Sequence, residues 1–305
     1  MNSLFITILC FVCLFTILTL CSSLTTGMAN MLTMCQAAFW GIGAYTGALM
    51  MNSFNSAIGL IAIPLVVILV TGLSSLIVSY ASIKLKDDSF VLSSLAFQMI
   101  VFCVIHSWES VTKGDGGLPI ESSSRLLDRM LTANGYFWIF ILVVTLLVVV
   151  MYYLWQRSPY GRLLRAIESD TEFAEALGKN VNILKIKTFF ISAALSGLAG
   201  LMFAVWRKHL LPDHFNLSAS ILVVTALFLG GKKHWLGALL GATLVMVLPQ
   251  VFIELSTSDM IENYRLVSIL GNMEQMLYGL TLILMAFFRP QGLIAGQNTS
   301  KQNKL

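Results

Sequence analysis

Residues 136–187 read YFWIFILVVTLLVVVMYYLWQRSPYGRLLRAIESDTEFAEALGKNVNILKIK, and that one stretch is written for two solvents. The first part, 136–154, is apolar from end to end and long enough to cross a hydrocarbon core of roughly 30 Å as a helix. The second part, 156–187, is crowded with charge. The apolar signature recurs at 4–24, 27–50, 58–83, 89–106, 188–206, 217–230, 235–254 and 271–288. Seven of the nine runs contain no Asp, Glu, Lys or Arg, the exceptions carrying Glu254 and Glu274. The 217–230 run is short for a span. It reads as a half-span or re-entrant element, which is tolerated only where protein or a water-filled cavity surrounds its backbone ends. The expected fold class is an all-α polytopic membrane protein with roughly 8–10 transmembrane or re-entrant helices. We expect a single transmembrane domain over 1–305, with a cytoplasmic loop at 156–187 and a disordered tail at 294–305.

Composition agrees. Of 305 residues, 57% are hydrophobic and 11% charged, against about 25% charged in a soluble domain. Polar groups are too few to cover a globule, so lipid is the expected solvent. The net charge of +4 is spread over the loops, and no basic block with interleaved aromatics points to nucleic acid. Cys10, Cys13, Cys21, Cys35 and Cys103 all lie in apolar runs. The Cys10-x-x-Cys13 pair has no nearby cation to lower a thiol pKa, which favours packing over redox chemistry. His106, His209, His214 and His234 are scattered at segment ends and in loops, so no metal site and no catalytic residue is expected. The first run, Leu4 to Leu24, lacks a basic leader and a small-residue cleavage site and reads as a retained helix.

Basic residues set the orientation. If 155–187 is cytoplasmic, alternation puts thirteen of the nineteen Lys and Arg on that side, including Lys84, Lys232, Lys233 and Arg289. The C-terminus is then cytoplasmic, and the N-terminus lies outside if every run spans. Ion-coupled carriers keep ionisable groups in mid-membrane, and these runs hold almost none. A phosphate-binding G-x-x-x-x-G-K-[ST] loop is also absent. Energy for uphill transport must then come from a partner. Gly43-x-x-x-Gly47, Gly237-x-x-x-Gly241 and the stripe Ser192, Ser196, Gly200 have the spacing that lets helix backbones touch.

Within 156–187, Ser158-Pro159 is a helix start signal and Gly161 lets the chain turn. The run Arg162 to Leu177 favours helix, with Gly178 as a C-cap. Leu163, Leu164, Ile167, Ala174 and Leu177 can share an apolar face, with Arg165, Glu168, Glu172 and Glu175 at its margins or opposite it. Such a helix could lie on the membrane, but those helices are rich in Lys and Arg. Here Arg162 and Arg165 are balanced by Glu168, Asp170, Glu172 and Glu175, which favours docking into a partner protein.

Ser158-Pro159-Tyr160-Gly161-Arg162, Arg165-Ala166-Ile167, Ala174 to Val181 and Lys185 to Gly200 together resemble the LivH/LivM-type permeases of bacterial ABC importers for branched-chain amino acids. Ala37 to Thr46, Leu85 to Phe97 and Phe288 to Leu293 resemble the same family, more LivM than LivH. The chain departs from the family pattern at Cys35-Gln36, where a Gly-His pair is common, at Asp87-Asp88, and in the reordered glycine loop Thr112 to Leu118.

The resemblance implies a permease subunit in the bacterial inner (cytoplasmic) membrane, working beside a second, homologous permease. Two cytoplasmic ATPase subunits and a periplasmic solute-binding protein complete the importer. ATP and Mg would belong to the ATPases, leaving this chain without a cofactor and without an enzymatic role. Gly161, Arg162, Arg165, Glu168, Ala174, Glu175, Ala176, Leu177 and Gly178 would form the ATPase-coupling helix, the charged residues for pairing and the small ones for close approach. For a zwitterionic cargo the pathway needs water or backbone dipoles. Broken helices around Gly41, Gly43, Tyr45 and Gly47, and around Gly230 and Gly231, would present them, the alternative being that these glycines only pack. Branched-chain amino acids are the expected cargo. The alternatives are urea or short amides on the same machine, a stand-alone carrier or channel, and a membrane enzyme.

Overall fold

A computed structural model describes residues 2–53, 59–85, 87–120, 137–169, 178, 180–232, 234–257 and 293. The run 271–288, the tail 294–305 and loop residues 170–177 lie outside the described residues. Helix α1 covers Asn2–Ser22 and continues as a π-helical turn, Ser23–Met28. Then follow α2 (Gln36–Ser53), α3 (Gly59–Lys84), α4 (Asp87–Ser107), α5 (Phe137–Arg157), α6 (Pro159–Ser169), α7 (Val181–Arg207), α8 (Leu217–Gly230) and α9 (Trp235–Thr257). Among the described residues, six helical stretches are long and apolar enough to cross a membrane: Phe5–Met28, Ala62–Ala81, Asp88–Ser107, Phe137–Arg157, Val181–Arg207 and Pro212–Gly230.

Helix α7 is the hub, with 72% of its most apolar window buried against 22% for α4 at the rim. Small residues explain why. A Cβ on Gly43 would strike the backbone of Gly197, and one on Gly200 would strike Trp40 O and the amide of Ala44. Only hydrogen at these positions lets α2 and α7 lie backbone to backbone, which is how helices gain contact where lipid offers no hydrophobic drive. Gly197 packs against the Thr71 side chain of α3, and Gly230, Gly237 and Gly241 interlock α8 with α9 backbone to backbone. Above the α2–α7 contact, Trp40, Phe203 and Phe215 close into an aromatic cluster, with Trp40 ring centroids 4.8 Å from both partners. Large apolar side chains point outward from α3, α4 and α5, among them Leu73, Ile77, Leu92, Ile100 and Leu147. In water this would be a very large exposed patch; facing acyl chains it costs nothing.

Two expectations need correction. The 27–50 run is not one helix: the chain leaves helical geometry at Ala29 and α2 begins only at Gln36. The 156–187 stretch is not a connector down to 187, because α5 runs to Arg157 and α7 begins at Val181. Asn180 caps α7, its Oδ1 accepting the Ile183 N–H at 3.2 Å. That cap supplies an acceptor for one of the first-turn N–H groups that has no helical partner, so the helix starts well before the charge-free run. The helix expected over 162–177 starts earlier, at Pro159, and is described as far as Ser169.

At the end of the bundle where α4 and α7 finish, the glycine loop is a shaped turn. Lys113, Gly114 and Gly117 take left-handed φ values of 63°, 53° and 70°. They deliver Leu118–Pro119 as a short strand antiparallel to His209–Leu210. Asn52 Nδ2 donates to Pro119 O at 3.1 Å, tying the end of α2 to this cap.

Candidate functional site

Helix α2 shares its direction with α7. Gln36 meets Ser192 and Ser196, Gly43 meets Gly197, and Gly47 meets Leu201. Ser192 lies about 16 Å along α7 from Val181 at 1.5 Å per residue. The N-terminus of α2 therefore opens near half depth in the bundle. The non-helical Ala29–Cys35 covers the other half, and most of it is buried in protein, as irregular backbone at membrane depth must be. Helix α8 also starts deep: Ser220, one turn in, touches the first turn of α2. Two helix N-termini thus converge at one level: the second apolar run has a non-helical stretch, Ala29–Cys35, before its helix, and the seventh is helical throughout but only 14 residues long.

The first N–H groups of a helix have no partner inside it, and here neighbours satisfy them. Ala38 N–H donates to Gln98 Oε1 at 2.6 Å and Ala37 N–H to Ser220 Oγ at 3.0 Å. Ser220 donates in turn to Gln98 Oε1 at 3.1 Å, and Gln98 Nε2 donates to Phe215 O at 2.9 Å. Gln36 Nε2 donates to Ser192 Oγ, Ser192 to Cys21 O, and Ser196 to Gln36 Oε1, at 3.1, 2.8 and 3.2 Å. Asn216 caps α8 through the Ala219 N–H. Gln36, Gln98, Ser192, Ser196 and Ser220 are all buried. The result is an uncharged polar junction drawn from α1, α2, α4, α7 and α8. Its groups can meet a dipolar solute without the cost of a buried ion. Among the described residues no group of three or more His, Cys, Asp or Glu is placed to hold a metal.

The second element is α6. Its apolar side, Leu164 and Ile167, is fully buried on the chain's own bundle, while Arg162, Arg165 and Ala166 face out. The side of this helix left exposed is therefore the charged one. Gly161 is forced by contact, since a Cβ there would meet Trp155 O and Gln156 O at the end of α5. Its N–H donates to Ser158 Oγ at 3.1 Å, a local cap. Tyr160 OH reaches α7, 3.1 Å from both Leu184 O and Thr188 Oγ1. Burial pushes the Tyr160 phenol up, with the Thr188 hydrogen bond opposing. The Arg165 guanidinium donates to Gln156 O at 2.8 Å and Arg162 to Arg157 O at 3.4 Å. Glu168 is half-buried, and Gly178 is exposed at φ 73°, the left-handed geometry of a helix C-cap. Ala174, Glu175, Ala176 and Leu177 lie outside the described residues.

The glycines expected along a pathway occupy tight contacts. Gly41 lies under the Phe215 ring, and Gly47 under Leu201. Tyr45 OH donates to Leu210 O at 3.4 Å, beneath the β cap. Gly230 abuts Gly237, and Gly231 ends α8 at φ 112°. None of these positions takes part in the hydrogen bonds of the polar junction. The residues that form it are Gln36, Gln98 and Ser220, together with two members of the small-residue stripe. Gln98 was discoverable, being the one amide side chain in the 89–106 run. Its partners were not, because they come together only through the two half-length helices.

A helical bundle with several lipid-facing spans, discontinuous helices meeting at its centre and a fixed amphipathic helix at one end defines a multi-pass membrane permease. The chain belongs to the family described as "Branched-chain amino acid transport system / permease component", which matches residues 4–286. It is similar to the high-affinity branched-chain amino acid transport system permease protein LivM of Escherichia coli, 26% identical over 304 residues, covering 92% of this chain and 68% of the relative. It also resembles a probable LivH permease of Methanocaldococcus jannaschii, 25% identical over 240 residues, covering 76% of this chain and 75% of the relative. BraD of Pseudomonas aeruginosa is 32% identical over 169 residues, covering 55% of this chain and 50% of the relative. No solved structure matches.

Proposed function

We propose that this chain is one of two permease subunits of an ATP-driven importer that carries branched-chain amino acids inward across the cytoplasmic membrane, with α6 facing the cytosol. The relatives carry that cargo in their names, and both LivM and LivH types match, which supports a paired permease. Two cytoplasmic ATPases and an external solute-binding protein complete the assembly, so ATP and Mg sit outside this chain and it performs no covalent chemistry. The C-terminus lies in the cytosol on this reading, as the distribution of Lys and Arg favours.

The observation that carries the proposal is the mounting of α6. A helix bound to its own bundle by Leu164, Ile167, Gly161 and Tyr160 cannot slide, so force on its exposed Arg162 and Arg165 face passes into α7. Helix α7 holds α2, whose N-terminus lies at the polar junction. A neutral junction suits a zwitterion, and the aliphatic and aromatic surroundings suit an apolar side chain. Among the described residues, the Arg162 side chain makes a single weak hydrogen bond, at 3.4 Å, so Arg162→Glu should insert and fold normally. In cells making the whole importer, uptake of labelled leucine should fall at least about tenfold, the scale expected when an interfacial charge meets like charge. Undiminished uptake, or leucine transport by this chain alone in liposomes without nucleotide, would sink the proposal. Competition by urea or acetamide in place of isoleucine and valine would redirect the cargo assignment.

A further inference from the structure

We propose that a groove between α3, α5, α6 and α7 seats one anionic phospholipid, with an acyl chain along its apolar floor and the phosphate on Lys187. The groove has a volume of about 760 Å³, within the roughly 300–1,000 Å³ range of ligand sites. Leu76, Met151, Leu154, Phe190 and Ile191 make its floor and walls. It is open, and its rim continues into the outward face of α3, where Ile77 is 69% exposed. That face is the one the fold presents to lipid.

Charge selects among lipids. Among the described residues, Lys187 is the groove's single charged lining residue and no carboxylate lines it. The Lys187 side chain is exposed, so its ammonium can turn to a headgroup while its stem stays on apolar surface. Trp155 and Tyr160 stand at the same end, ring centroids 5.5 Å apart. A zwitterionic headgroup would bring its own cation to Lys187; an anionic one brings only phosphate, and basic pockets between membrane helices on the cytoplasmic side hold such lipids. The cytoplasmic placement rests on the orientation proposed above, whereas the groove and its charge do not.

The position of the site gives it a consequence. Tyr160 belongs both to the groove and to the bond between α6 and α7, so a lipid seated there braces the joint through which α6 would act.

The purified chain in phosphatidylcholine nanodiscs supplies the test, with a minor fraction of either brominated phosphatidylglycerol or brominated phosphatidylcholine. Bromine quenches nearby indoles, and subtracting the signal of Trp155→Phe isolates Trp155. The expected result is severalfold stronger quenching by the phosphatidylglycerol probe, falling to parity in Lys187→Gln. Equal quenching by both probes in the unsubstituted chain overturns the proposal, as does a preference that survives Lys187→Gln. No quenching by either probe, or protection by an added second permease subunit, also overturns it and assigns the groove to protein. Neither cargo nor nucleotide is present, so the outcome is separate from that of the transport assay.

Discussion

Replacing Gln98 with leucine tests the polar junction at its centre. The side chain makes three hydrogen bonds, accepting from Ala38 N–H and Ser220 Oγ and donating to Phe215 O. Leucine makes none and adds no charge. The Ser220 hydroxyl can rotate toward a carbonyl one turn back, as Thr225 does toward Ile221 O, so two groups are left stranded: the Ala38 N–H and the Phe215 carbonyl. A buried unsatisfied group costs about 1–3 kcal/mol, but bonds between membrane helices average only about 0.6 kcal/mol, with a maximum near 1.7. The expected loss is therefore about 2 kcal/mol, read by tryptophan fluorescence during unfolding in mixed micelles titrated with dodecyl sulfate. Pairing the change with Ser220→Ala in a double-mutant cycle should give a coupling of about 0.5–1.5 kcal/mol. A loss under about 0.5 kcal/mol, or no coupling, would refute the argument that Gln98 joins the two half-length helices.

Glycine substitutions should separate sharply by contact. Gly200→Ala forces a methyl into the Trp40 and Ala44 backbone and should cost about 1–3 kcal/mol or more. Gly116→Ala meets nothing within 4 Å and should stay within about 0.5 kcal/mol, both read in the same unfolding assay. Tyr160→Phe removes the link to Leu184 and Thr188 and should cost about 1 kcal/mol. Because the folded chain holds the Tyr160 proton more tightly than the usual value of 10, the phenol's contribution is complete below that pH. It fades as pH climbs through the raised folded value. The stability gap between the natural chain and Tyr160→Phe should be flat at neutral pH and narrow only in strong alkali.

Much of the bundle was legible because its solvent leaves a coarse mark. Eight of the nine apolar runs fall wholly or largely on described helix, and lipid requires only length and apolarity of them. The same coarseness hid the breaks. In the 27–50 run, the residues from Ala29 to Cys35 are as apolar as those of α2, so hydropathy does not tell helix from extended chain. What ends the helix is tertiary: a π-helical turn at Ser23–Met28, held by Ser23 on Tyr152 OH and Lys232 O, and Asn30 at φ 53°. The short 217–230 run did announce a half-length helix. For α6, spacing identified Leu164 and Ile167 as the apolar side, but periodicity alone does not say what covers a face. The covering surface is the chain's own bundle, which leaves the arginines outward. Gly43 and Gly200 were marked by their small-x-x-x-small spacing, and they do bring backbones together; the polar junction beside them was marked only by Gln36 and Gln98.

The distribution of tight and loose contacts says where this bundle can yield. Helices α2 and α7 meet through Gly43, Gly197 and Gly200 with backbone against backbone, and such a contact has no slack for sliding. The two must move as a block. Across the junction, α2 meets α4 and α8 through side chains of Gln98 and Ser220, which can exchange partners without breaking a helix. Separating that face costs a handful of bonds at about 0.6 kcal/mol each. The total lies within the roughly 1–3 kcal/mol of ordinary coupling between distant sites. On the proposed function, a pull on α6 would therefore be spent at the junction and not in the α2–α7 contact. The bonds released there, the Ala37 and Ala38 N–H groups foremost, are donors suited to a passing carboxylate. Among the described residues, a seam held by exchangeable side-chain hydrogen bonds and an uncharged polar interior surface are the same place.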